Sequence, residues 1–116
     1  MREKAKQLDV EGQVRCASLI VKTNGWGDDV FAADYQLTPL GEVAAFIGQH
    51  QHLPGVPSEQ ELVAKGINAA EMAETQMRKI EELTLYAIEQ EKRAKKQDEA
   101  IAALVNRITE LEAKAR

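Results

Sequence analysis

From residue 80 onward, apolar and amide side chains return at alternating intervals of three and four. Counting Ile80 as heptad position a places Ile80, Ala87, Ala94, Ile101, Ile108 and Ala115 at a, with Leu83, Gln90, Gln97, Leu104 and Leu111 at d. A repeat of about 3.5 residues sustained over several heptads predicts a coiled-coil seam rather than the wider apolar face of a globular helix. All seven glycines and all three prolines lie at or before Gly66, so the 50 residues 67–116 contain no helix breaker. Gly66 suits a helix C-terminus, and Asn68 with Glu71 has the spacing of a capping box. The pattern therefore predicts one helix from about Ala69 to near residue 116, roughly 70 Å long at 1.5 Å per residue. A helix of that length needs a partner to bury its stripe.

The flanks of the seam indicate direction. In a parallel, in-register coil a g residue meets the e residue five positions on in its neighbour, which would pair Arg93 with Asp98 and Arg107 with Glu112, both opposite in sign. Ile at a with Leu at d favours two strands, whereas the Ala and Gln layers between residues 87 and 97 follow no simple rule, so the heptads leave dimer and trimer open. Gln90 and Gln97 can bond across the axis and penalise slipped registers. Leu85, Tyr86 and Ile88 occupy f, g and b and point away from the seam. A helix apolar on several sides is covered on several sides. The preceding residues are therefore expected to fold back, with Trp26, Phe31, Tyr35 and Phe46 packing against Leu85, Tyr86 and Ile88.

Residues 8–23 alternate apolar and polar around Glu11-Gly12 and read as a strand pair within about 8–22. Asn24-Gly25-Trp26-Gly27 reads as a turn cluster. Thr38-Pro39 reads as a helix start, with Leu40, Val43, Ala44, Phe46 and Ile47 on one face of a helix over about 39–48. Ser58 with Glu61 forms a second capping box, opening a helix over about 59–65. The expected fold is α+β: a small head of a strand pair and short helices over residues 1–67, followed by a coiled-coil helix over residues 68–116. The head is too thin to be stable alone.

Composition narrows the chemistry. Fifteen basic residues interleave with nineteen acidic ones for a net charge of −4, which disfavours nucleic acid as a partner. No apolar run is long enough to span a membrane, and the charged start Met1-Arg2-Glu3-Lys4 is followed by no signal-peptide core. The single cysteine, Cys16, excludes an intrachain disulfide and reads as a small packed hydrophobe. Asp28, Asp29 and Asp34 lack the oxygen-ligand spacing of a calcium loop and read as solvated carboxylates. Ser18 and Lys22, four apart in a strand, would sit about 13 Å from each other, too far for proton transfer. His50-Gln51-His52, if extended around a threefold axis, would present alternate imidazoles to one ion, but ordinary loop or interface histidines are favoured. No phosphate loop, nucleophile elbow or zinc spacing occurs. The expectation is a protein that is not an enzyme and carries no cofactor.

Several stretches resemble a known family. They are Leu8-Asp9-Val10-Glu11-Gly12 with Val14-Arg15, Gly25-Trp26 with Asp29-Val30-Phe31, Tyr35-Gln36-Leu37, and Leu40 with Glu42-Val43. His52-Leu53-Pro54-Gly55-Val56-Pro57-Ser58, Gly66, Met72 and above all Lys79-Ile80-Glu81-Glu82-Leu83-Thr84-Leu85-Tyr86 complete the set. Over about residues 8–90 the chain resembles a C-terminal domain of Bacteroidetes tail-fibre-like and surface proteins, similar in appearance to endosialidase-type intramolecular chaperone tips. His50, Ala69, Ala73 and Ala87 depart from that pattern. The resemblance implies a parallel homotrimer at the end of a fibre or surface protein, joined to an upstream fibre segment of the same chain and located at the cell surface, outside the cell or on a virion. Self-cleavage in such chaperones uses a Ser-Asp motif at the domain start, and this sequence has no Ser-Asp pair. The alternatives are a self-cleaving intramolecular chaperone of that type, despite the absent motif, and a receptor-binding tip.

Overall fold

The computed structural model describes residues 7–23 and 25–116, so Met1-Arg2-Glu3-Lys4 and Asn24 of the expected turn cluster lie outside the described residues. Three helices follow in order: α1, Leu40–His50; α2, Glu59–Lys65; and α3, Ala69–Ala115. The 47 residues of α3 dominate a molecule measuring 94 × 31 × 29 Å.

Local chemistry sets the helix limits. Pro39 precedes α1 with φ −56°, preorganised for the first turn. Ser58 accepts a hydrogen bond from the Glu61 N–H at 3.2 Å to start α2, and Asn68 accepts one from the Glu71 N–H at 3.1 Å to start α3. Between them Gly66 takes φ 77°, a left-handed conformation that glycine adopts without steric cost. α1 continues two residues past Gly48. Its terminus is instead Gln51, at φ 62°, whose N–H bonds to the Ile47 carbonyl at 2.8 Å and whose side chain donates to the Gly48 carbonyl at 3.2 Å.

The expected α+β architecture is overturned: among the described residues there is no strand, and the fold is all-α with an irregular N-terminal arm. Residues 7–23 run without a hydrogen-bonded ladder. Their alternation has no layer to pack against, and Ile20 is 92% exposed, with Leu8, Val14 and Leu19 also in solvent. A two-stranded ribbon without a third strand or a covering helix is marginal in water. Cys16, expected to be packed, lies exposed on the same arm.

Candidate functional site

The segment after the arm is fastened to the first third of α3. The Gly27 N–H donates to Glu74 Oε1 at 3.3 Å. Arg78 Nη1 donates to both carboxylate oxygens of Asp29, at 2.8 and 2.9 Å. The Tyr35 hydroxyl donates to Glu82 Oε1 at 3.0 Å, and the Tyr86 hydroxyl donates to the Thr38 carbonyl. The four helix residues, Glu74, Arg78, Glu82 and Tyr86, are spaced four apart and therefore share one side of α3. Lys79 reinforces the row through an ion pair to Glu82 at 3.3 Å. Val30, 1% exposed, is the one fully buried residue among those described, in a turn closed by the Ala32 N–H on the Asp29 carbonyl at 3.1 Å. Asp29 stays largely in solvent, as its sequence reads, and in addition pairs with Arg78.

Two of these groups give the junction opposite pH limits. The hydrogen bond from the Arg78 guanidinium holds the Asp29 carboxyl below its usual range, outweighing a small opposing effect of burial. Burial first, and then the hydrogen bond and negative charge of Glu82, push the Tyr35 phenol up. A depressed acid contributes stability above its unfolded pKa and loses it as pH falls through the folded value. A raised phenol contributes below its unfolded pKa and loses it as pH rises through the folded value. Docking of residues 27–38 should thus be constant near neutrality and loosen below about pH 4 and above about pH 10. Protease cleavage within 27–38, followed against pH, checks this; Asp29→Asn should flatten the acid limb and leave the alkaline one.

The other expected head residues are dispersed. Tyr35, Leu85 and Tyr86 are half-buried at the junction, whereas Phe31 and Ile88 are exposed and Trp26 is 46% exposed. Phe46 packs on histidines instead, with ring centroids 4.3 Å from His50 and 5.5 Å from His52. His50 ends α1 and Gln51 is left-handed, so His50-Gln51-His52 is not extended. Among the described residues no group of three or more potential metal ligands comes together.

The heptad positions lie along α3 in solvent. Leu83 is 68% exposed, Ile101 58% and Leu104 61%, and Ile80, Ala87, Gln90, Ala94, Gln97, Ile108 and Leu111 are exposed as well. Arg93 and Arg107 contact carboxylates of their own helix, Glu89 at 3.4 Å and Glu110 at 3.2 Å. Such exposed pairs are worth a few tenths of a kcal/mol, so neither arginine is held firmly to its own helix.

Where the head meets the stripe there is a groove of about 500 Å³, lined by Leu40 and Val43 of α1, Leu53 of the following loop, and Ile80, Leu83 and Tyr86 of α3. Its walls come from three separated segments, which is why no single stretch of sequence announces it. The chain matches no protein-family model, no curated protein and no solved structure.

Proposed function

We propose that this chain is a structural trimerisation and assembly module, a tip of a fibre or surface protein in which α3 forms a parallel homotrimeric coiled coil. The observation that carries the reading is the heptad stripe left in water along a 47-residue helix whose residues beyond Tyr86 the head does not cover. Each Ile or Leu moved from that stripe into a seam contributes about 1.5–3 kcal/mol, enough over four or five layers to offset the cost of association. Opposite charges at Arg93 and Asp98, and at Arg107 and Glu112, favour parallel chains. The choice of three strands, the attachment to an upstream fibre segment and a location at the cell surface or on a virion rest on the family resemblance. A receptor-binding tip has one observation in its favour, the apolar groove, which is of ligand size.

Sedimentation equilibrium tests the assembly without assumptions about shape. The expected mass is that of three 12.9 kDa chains, with thermal stability rising with concentration. A monomer throughout the micromolar range would end the oligomerisation reading, and a dimer would keep the coil but remove the fibre-tip assignment. Direction is checked by Cys16→Ser with Ala115→Cys: parallel chains should form interchain disulfides on oxidation, and antiparallel chains should not.

A further inference from the structure

The groove beside α1 and the heptad stripe are one continuous surface. Ile80 at a and Leu83 at d line the groove, and so do Lys79 and Tyr86, both at g. The head therefore covers a band that starts at Glu74, at b, and crosses Thr75, Arg78, Glu82 and Leu85, at c and f, to the groove on the g flank of α3; Glu81, at b, is half-buried as well. The e positions are left open. Met77 and Thr84 at e, and Ile88 at b, are exposed although two of the three are apolar and neither Met77 nor Ile88 belongs to the seam.

Parallel coiled coils bring the g flank of each helix against the e flank of its neighbour. One chain thus offers a covered, grooved g flank and a bare, partly apolar e flank, which are complementary halves of a single contact. Repeating that contact by rotation closes a ring. We infer that the groove is an intermolecular socket filled by a second copy of this chain, with Met77, Thr84 and Ile88 of the neighbour's α3 seated against Leu40, Val43 and Leu53. In that register Lys79, paired with Glu82 of its own helix at 3.3 Å, faces Thr84 of the neighbour, with Glu81 one turn before it. Each head is then completed by two chains, so that coil assembly reinforces head closure.

This inference rests on the parallel coil proposed above, and photo-crosslinking separates the two. A benzoylphenylalanine at Leu53 is illuminated in an assembly refolded from equal amounts of isotopically heavy and light chains, and the adducts are read by mass spectrometry. The expected adducts join residue 53 to the segment around Met77 or Ile88, with mixed-isotope and single-isotope species in equal proportion. The reciprocal probe at Met77 should capture Leu40, Val43 or Leu53, and it keeps the test decisive if the first variant assembles poorly. Single-isotope adducts alone, in protein that still sediments as a trimer or dimer, would show the groove open to solvent or to another ligand and overturn the socket while leaving the coil intact. A monomer in the centrifuge would remove the coil itself.

Discussion

Replacing Ile101 and Leu104 together by asparagine should dissolve the assembly at micromolar concentration and lower its melting temperature sharply. These residues are an a and the following d, 58% and 61% exposed in the single chain, so in the proposed coil most of their worth comes from what a neighbouring helix would place over them. Removing an aliphatic side chain from a packed layer costs about 2–5 kcal/mol, and an amide buried there without a partner adds about 1–3 kcal/mol. The loss recurs in every chain. By contrast, reversing the charge of Arg107 should move stability by only about 0.5 kcal/mol, because exposed ion pairs contribute little. Loss of the seam should also reduce helicity near the C-terminal end, since a solitary helix is marginal in water without tertiary packing. Circular dichroism and sedimentation equilibrium on the double variant report both effects. An unchanged melt and mass would mean that this stripe is not a seam.

The sequence reveals the elements whose causes are local. Ser58 with Glu61, and Asn68 with Glu71, mark helix starts because the cap and the N–H it satisfies lie three residues apart. The absence of Gly and Pro after Gly66 marks a long helix for the same reason. Residues 8–23 have no such local cause. Period-two alternation says which side chains would share a face, but not whether a layer exists to cover that face, and in this fold none does.

The junction was hidden for a different reason. Glu74, Arg78 and Glu82 have the spacing of ordinary pairs along a solvated helix face, and their partners lie 47 to 49 positions away in a stretch without regular structure. The available signal was that the four-residue spacing runs on into Tyr86, a side chain with an apolar ring that is seldom spent on open water. Asp29 was unreadable on its own, since a carboxylate between Asp28 and Val30 looks the same whether solvated or clamped by an arginine. Aromatic clustering was similarly incomplete as a guide: Trp26, Phe31 and Phe46 are near Tyr35 in sequence, yet Phe46 packs on His50 and His52.

Val30→Asp should release the head from α3 while leaving the coil assembled. Val30 is 1% exposed, and it follows Asp29 in the turn that the Arg78 guanidinium clamps. A carboxylate at position 30 has to reach water, and the turn cannot open without pulling Asp29 away from Arg78. Loss of the buried side chain alone costs about 1.5–3 kcal/mol, and burying an unpaired charge would cost more. The Arg78–Asp29 pair is exposed to solvent, and such a pair is too weak to hold the turn against that loss. Hydrogen exchange should therefore accelerate through residues 27–38, with Trp26 emission shifting as its surroundings change. Exchange in the C-terminal half of α3 should stay slow, and the sedimenting mass should not change, because no seam residue is altered. Val30→Ala should produce the same pattern at smaller amplitude. Protection of residues 27–38 persisting in Val30→Asp would show that the polar row from Glu74 to Tyr86 docks this segment without help from the buried valine.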